Sequence, residues 1–424
     1  MHTTPPPSGT STLGTAHRPT SLRHDGFGDL LPAQLRGLAF VLLFLAPTLG
    51  VVGCQPSAGD DAPPAKERPL QGAGGGRGDQ TQLSIGVGAV RGRPGYESLR
   101  RGLDLAVERL NGTSPLRFRL RLPDSGLVSA VRVAQQLASD PEVIGVVGHP
   151  ESGHSLEAIP VYADAEHGGR NGVVAISPTA SSPRLSGISP WFFRMAPSDE
   201  TAARFVARWV RDSLGARRAA VIYRNDSYGR DWASTFSTAF VSDQTTIVAR
   251  DPYLTGVTEW DAYAQRLAVL RPDVLLFPGD VGDATELLRA LQRARVELAF
   301  IGGDGTAGMR DSSVANGARY VAFFQADQIE TEEGRTFARQ YAAKYGVAPD
   351  MFAALSYDAA LAIGRSAIQG ATTRIAVRRA LERLGSTGAP TLEGVAGRIA
   401  FEKNHDIAGR TVLISTVRTQ TGRP

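Results

Sequence analysis

The sequence predicts an α/β protein of two Rossmann-like lobes, each with a parallel central sheet, and three observations carry that reading. From residue 83 onward, short apolar runs alternate with stretches of helical periodicity. Runs such as Val143-Ile144-Gly145-Val146-Val147 and Val274-Leu275-Leu276-Phe277 lack polar alternation, as strands covered on both faces of a parallel sheet do. Residues 81–424 are more chain than one hydrophobic core usually serves, so two lobes follow.

Taken in order, Leu83, Ile85, Val87 and Ala89 alternate as a first strand, and Leu99, Leu103, Val107 and Leu110 then recur at the spacing of an amphipathic helix. Further strands are expected at 117–122, 143–147, 173–176, 219–223, 246–249, 274–277 and 299–301. Helices are expected between them, at 128–138, 201–213, 259–270 and 283–294. Strands separated by crossover helices build parallel sheets.

Composition narrows the function classes. The 46 basic and 42 acidic side chains give a net charge of +4, and they interleave without a dense basic block, so nucleic acid is not an expected partner. The three lysines, Lys66, Lys344 and Lys403, never follow a glycine, which removes the Gly-Lys pair of a phosphate-binding loop. A single cysteine, Cys54, rules out an intrachain disulfide and a cysteine-based zinc cluster. The seven histidines form no His-Glu-x-x-His pair, so no metal site and no cofactor are expected.

The first 53 residues read as a signal peptide with an extended leading region. Residues 38–52, LAFVLLFLAPTLGVV, follow Arg36 and are too short to span a hydrocarbon core of ~30 Å. Val51-Val52-Gly53-Cys54 resembles a bacterial lipobox, which implies diacylglycerol on the Cys54 thiol and a membrane anchor of several acyl chains. Gln55, in place of aspartate, leans toward the outer membrane. Residues 54–80, rich in proline and glycine, form a tether, and the Arg77-Gly78-Asp79 triplet in it is a chance match. The expected location is the extracytoplasmic face of the cell envelope.

In open α/β sheets, ligands sit beyond the carboxyl ends of the strands. Three loops there draw notice. Gly86-Val87-Gly88-Ala89-Val90-Arg91-Gly92 has arginine where a dinucleotide fingerprint needs its third glycine. Gly148-His149-Pro150-Glu151-Ser152-Gly153-His154-Ser155 and Ser177-Pro178-Thr179-Ala180-Ser181-Ser182-Pro183 follow buried strands and carry hydroxyls, which with backbone amides make a carboxylate cradle. Ser152 and Ser181 also fit a plain capping role. Ser152 with His149 or His154 lacks the glycine pattern of a nucleophile elbow, and no complete triad or metal set is visible, so an enzyme is not expected.

The order and spacing of these loops resemble the type I periplasmic binding-protein family, in its leucine/isoleucine/valine-binding branch of ABC-transporter substrate-binding proteins. The resemblance spans roughly residues 82–418. It rests on Val146-Val147-Gly148-His149 with Ser152, Ile176-Ser177-Pro178-Thr179-Ala180-Ser181, Arg218–Tyr223 running to Asp226-Ser227-Tyr228-Gly229, Phe300-Ile301-Gly302-Gly303-Asp304-Gly305, and Leu392–Phe401. It implies an α-amino acid held between two lobes by hinge closure. The lobes would be 81–196 plus 326–402, and 197–325 plus 403–424, with crossings near Ala196-Pro197, Gln325-Ala326 and Glu402-Lys403.

The same resemblance implies that Ser152, Ser181 and the Thr179-Ala180 backbone hold the ligand carboxylate, that Asp304 holds its ammonium, and that Tyr228 closes over it. An ammonium in a water-poor cleft needs an acceptor-only partner, which an ionised aspartate is. Asp304 also fits an Asx-turn, and Tyr228 a turn aromatic facing solvent. Asp280 stands roughly where amino-acid binders often present an aromatic. Facing the cleft it would favour a polar or cationic ligand; capping the next helix it would say nothing about ligand. Arg91 and Arg93 lie in the first loop, and the family's disulfide is missing. The partners implied are a permease and an ATPase on separate chains. An envelope lipoprotein of the same fold, acting on cell-wall enzymes without a transported ligand, is the alternative reading.

Overall fold

The computed structural model describes residues 82–256 and 259–418. The leader, Cys54 and the tether lie outside the described residues. The first lobe opens with β1 (Gln82–Gly88), α1 (Tyr96–Thr113), β2 (Arg117–Arg121), α2 (Ala130–Ser139), β3 (Val143–Gly148), α3 (Ser152–Tyr162), β4 (Val174–Ser177) and β5 (Phe192–Arg194). These strands form one parallel sheet in the order β2-β1-β3-β4-β5.

Its central strands are apolar throughout because both faces are covered. On β4, Val174 and Ile176 join the core beneath α1, while Ala175 joins the separate core under α2 and α3. The edge strand β2 alternates instead, Arg-Phe-Arg-Leu-Arg, with Phe118 buried and Arg119 exposed.

The second lobe follows with α4 (Asp199–Ser213), β6 (Arg218–Arg224), α5 (Ser227–Phe240), β7 (Thr246–Tyr253), α6 (Trp260–Leu270), β8 (Val274–Phe277), α7 (Val281–Arg293), β9 (Ala299–Gly302) and β10 (Arg319–Ala322). The chain then returns to the first lobe with α8 (Glu332–Tyr345), α9 (Met351–Ile368), α10 (Arg374–Arg383) and the hairpin β11 (Leu392–Gly394) and β12 (Gly397–Ile399). It ends on β13 (Leu413–Thr416), antiparallel to β10 at the edge of the second sheet, whose order is β13-β10-β9-β8-β6-β7 and whose other pairs are parallel.

Three passages therefore connect the lobes, at residues 195–198, 323–331 and 408–412. The third comes later than the expected Glu402-Lys403. Asp406 bridges β5 at Arg194, and its carboxylate takes both the Nε and Nη2 hydrogens of that buried guanidinium at 2.6 and 2.7 Å. His405 stacks on Phe193 with 4.2 Å between ring centres. These contacts hold residues 404–407 on the first lobe, so a boundary at 403 is corrected to one after them.

Helix α9 is the keystone of the first lobe, buried along nearly its whole length against α1. The approach is close enough that a Cβ on Gly102 of α1 would fall 2.2 Å from the carbonyl oxygen of Ala353. Gly102→Ala therefore lowers stability by about 1–3 kcal/mol by forcing the helices apart, although alanine is the better helix former by ~1 kcal/mol. A denaturation midpoint equal to or above that of the unaltered chain would contradict this packing.

Candidate functional site

The strand ends that matter converge. The loops after β1, β3 and β4 of the first lobe face those after β6, β7, β8 and β9 of the second across a cleft of about 290 Å³. On the first lobe it is lined by Arg93, Pro94, Pro150, Glu151, Ser152, Thr179, Ser181 and, from the start of α9, Phe352. On the second it is lined by Arg224, Asp226, Tyr228, Thr255, Gly279, Asp280, Asp304 and Gly305. Of the residues singled out from sequence, Ser152, Thr179, Ser181, Tyr228, Asp280 and Asp304 meet here.

Ala180 does not line the cleft. It is buried in the core beneath α2 and α3, and its amide donates to the Ser177 hydroxyl at 3.0 Å. Arg91 is exposed and lies outside the lining, whereas Arg93 belongs to it.

Ser152 is the first residue of α3, and its hydroxyl oxygen accepts the amides of Ser181 and Ser182, both at 3.2 Å. Two accepted bonds leave that hydroxyl one role, to donate its proton, so it suits an anionic or carbonyl oxygen in the cleft. This also disposes of a nucleophile: neither histidine touches Ser152. His149 is fully buried against Tyr162, at 3.0 Å, and burial pushes its pKa down to about 3. The Thr179 hydroxyl is committed to the Pro150 carbonyl at 2.9 Å. The Ser181 hydroxyl is buried, faces Asp199, and closes no hydrogen bond of good geometry.

On the opposite wall, Asp304 follows β9 as the first residue of a 3-10 stretch, Asp304–Asp311, whose cap is Gly303. It is not an Asx-turn cap. The Tyr228 hydroxyl donates to Asp304 Oδ1 at 2.9 Å and accepts the Gly305 amide at 3.1 Å, so Tyr228 is no solvent-facing turn aromatic: it fixes the carboxylate and lends its ring to the wall. Gly303 allows this approach, since a Cβ there would lie 2.3 Å from that hydroxyl.

Burial lifts the Asp304 pKa to about 6. Behind it lies Asp199, the first residue of α4, fully buried with both carboxylate oxygens lacking a hydrogen-bond donor. Burial, and then the charge of Asp304, raise Asp199 well above the ordinary carboxylate range. Two such buried acids side by side, neither in an ion pair among the described residues, cannot both stay ionised.

Asp280 fulfils both readings offered by the sequence. It caps α7, with Oδ1 accepting the Asp283 amide at 3.0 Å, and it faces the cleft, where Oδ2 lies 3.6 Å from Arg224 Nη1. Arg224, the last residue of β6, donates its Nε hydrogen to Asp226 at 2.6 Å and lies over the Tyr228 ring at 5.7 Å. Across from it, Arg93 pairs with Glu151 through two bonds of 2.8 Å. Burial opposes ionisation of Glu151, but the hydrogen bond from Arg93, followed by the charges of His154, Arg93 and Arg224, holds its pKa below the usual value.

The lobes also touch outside the cleft: the Ser182 hydroxyl donates to Asp231 of α5, and Arg184 lies 3.4 Å from the same carboxylate. Among the described residues no group of three or more histidine, cysteine or acidic side chains is placed to hold a metal ion.

Arg224, Asp226, Glu151, Thr255, Phe352 and Asp199 were not found by sequence reasoning. Arg224 and Asp226 carried a usable signal, since they end a buried strand just ahead of Tyr228. Phe352 and Asp199 carried none, because each reaches the site from an element distant in the chain.

Two parallel-sheet lobes, joined by three passages and facing each other across a polar cleft built from strand ends, define a two-lobed solute-binding protein. The chain belongs to the periplasmic binding protein family, whose model matches residues 92–422. An amino acid binding protein of Pseudomonas aeruginosa is 25% identical over 272 residues, 62% of this chain and 71% of that one. A Leu/Ile/Val-binding protein of Rhizobium johnstonii is 25% identical over 260 residues, 58% of this chain and 68% of that one.

Among solved structures, the branched-chain amino acid transporter substrate-binding protein LivJ of Streptococcus pneumoniae, in complex with isoleucine, superposes with a TM-score of 0.71 at 21% identity, covering 80% of this chain and 96% of that one. A solute-binding protein of a Rhodopseudomonas palustris ABC transporter, in complex with benzoate, superposes at 0.69 and 16% identity, covering 80% and 93%. The type I periplasmic binding-protein fold expected from the sequence is thereby found, and the relatives are binding proteins, not enzymes. No helix among the described residues is long and apolar enough to cross a membrane.

Proposed function

We propose that this chain is the extracytoplasmic, lipid-anchored solute receptor of an ABC importer, binding an amino acid or a related small polar solute between its lobes. One observation carries the reading: a hydroxyl at Ser152 free only to donate faces, across one cleft, a buried Asp304 that forms no ion pair among the described residues. The two ends complement a carboxylate and an ammonium. Names borne by the relatives, amino acid binding and Leu/Ile/Val binding, support it. A ligand that bridges both lobes binds the shut form better, and that difference in affinity drives closure. Permease and ATPase would be separate chains. Anchoring would run through Cys54, and Cys54→Ser should move the protein from the detergent phase to the aqueous phase. The envelope-regulator alternative finds no support among these relatives.

Calorimetric titration of the protein, freed of any copurified solute, against an amino-acid panel tests the reading; uniform silence from folded protein overturns it. The site also sets a pH dependence. The Asp304 carboxylate, next to Tyr228, Asp199, Trp232 and Arg224, takes up a proton as pH falls through about 6. A protonated acid no longer attracts an ammonium, so affinity weakens toward acid, roughly tenfold between pH 7.5 and pH 5. Titrations at the two pH values check this; equal affinities would place the ammonium elsewhere.

A further inference from the structure

The part of the cleft beyond the Ser152–Asp304 axis has a composition that the names of the relatives do not explain. Among the described residues, no leucine, isoleucine or valine lines the cleft. Its apolar surface comes from Pro94, Pro150, Phe352 and the ring of Tyr228. Around that surface stand three carboxylates, Glu151, Asp226 and Asp280, against two guanidiniums, Arg93 and Arg224. Seating a branched aliphatic group among them would strip water from charges and return nothing.

These charges are unequally satisfied. Both Glu151 oxygens are taken by Arg93. Asp226 accepts the Gly229 amide through Oδ1 and Arg224 Nε through Oδ2. Asp280 uses Oδ1 to cap α7, but its Oδ2 has only Arg224 Nη1, at 3.6 Å, beyond hydrogen-bond reach. The groups around Asp280 leave its Oδ2 without a hydrogen-bonded cation. Asp283 on α7 is a further acid, Tyr253 of β7 is a phenol, Arg224 is shared with Asp226, and Arg93, whose charge also reaches Asp280, is bonded to Glu151. The start of α7 would welcome an anion, and Asp280 already fills that place.

We propose that the ligand is a basic amino acid, whose methylene stem packs on Phe352 and the prolines while its cationic end donates to Asp280 Oδ2. Long cationic side chains combine such an apolar stem with a charged tip. The proposal rests on the receptor reading above and adds the substrate class, with Asp280 as the residue that sets it.

The test titrates the full mature protein with L-arginine, L-citrulline, L-lysine, L-norleucine, L-leucine and L-glutamate, then repeats the series on Asp280→Asn. Asparagine caps helices about as well as aspartate, so the variant keeps α7, and a melting curve checks this. Arginine or lysine should bind at least tenfold more tightly than its neutral partner, citrulline or norleucine, and more tightly than leucine. In Asp280→Asn that preference should shrink by tenfold or more. A preference for leucine or glutamate overturns the substrate class and leaves the receptor reading standing; a preference for cations that survives Asp280→Asn overturns the assignment to Asp280. Silence toward every compound overturns both.

Discussion

Asp304→Asn is expected to weaken solute binding by a hundredfold or more while the empty protein melts at an unchanged or higher temperature. The two halves of that result have one cause. Asp304 is buried beside Asp199, whose two oxygens have no donors, and burial holds both acids above the ordinary carboxylate range. An ionised Asp304 buried beside a second acid opposes the ligand-free fold, and the amide of asparagine still offers an oxygen to the Tyr228 hydroxyl. An ammonium bound as proposed, by contrast, would lose its charged acceptor. Removing one partner of a desolvated charge pair costs about 2–5 kcal/mol, and a hundredfold is ~2.7 kcal/mol. Residues that serve binding at the expense of the empty fold are a recognised pattern. Calorimetry and ligand-free melting decide the matter: retained affinity would remove Asp304 from the site, and a large fall in melting temperature would make it structural.

The second large effect is expected at Arg194, where Arg194→Met should destabilise the protein by about 3–5 kcal/mol. This guanidinium is fully buried on β5, with two hydrogen bonds to Asp406 and one, at 2.9 Å, to the carbonyl of Ser182. It joins three segments: the edge of the first sheet, the loop that carries Ser181, and the approach to the third passage. Methionine fills much of the volume but takes from Asp406 its only cation, leaving Oδ1 without a donor, Oδ2 with Ser186 and Asn404, and the Ser182 carbonyl with the Leu185 amide alone. The double variant Arg194→Met/Asp406→Leu should recover part of the loss, because no unpaired acid remains. Chemical denaturation of both variants measures the difference. A single variant as stable as the double would mean that Ser186 and Asn404, which already donate to Asp406 Oδ2, satisfy the carboxylate without the guanidinium.

The parts of the fold legible in the sequence were those whose neighbours impose a local pattern. Val143–Val147 and Val274–Phe277 are apolar because helices cover both faces of their sheets, and helix α7 shows one apolar stripe because one side meets solvent. Helix α9 gave no such stripe: it is buried on almost every side, and a helix surrounded by core loses the periodicity that marks one lying on a surface. The late third passage was hidden for a different reason. It depends on Arg194 meeting Asp406, more than two hundred positions away, and no local pattern announces a pair at that distance.

The site divides along the same line. Ser152 and Ser181 were visible because the architecture sends strand-end loops to one edge, whereas Tyr228, Asp280 and Asp304 were reached through the family resemblance. Ala180 was misplaced because neighbouring loop residues point to opposite sides, and Ala180 turns inward to the core. Arg224 stood in plain view at the end of β6, yet its orientation over Tyr228 depends on Asp226 and Asp280 together.

Asp231 has a part to play although it never meets the solute. If the lobes open and shut as proposed, its contacts to Ser182 and Arg184 across the gap would raise the fraction of unoccupied molecules that are already shut. The apparent dissociation constant is the intrinsic one divided by that fraction. A substitution at Asp231 would rescale the grip on every nutrient by one common factor and leave their ranking untouched. On the proposed reading, sensitivity to scarcity and choice of nutrient would then rest on different residues, and each could change without the other.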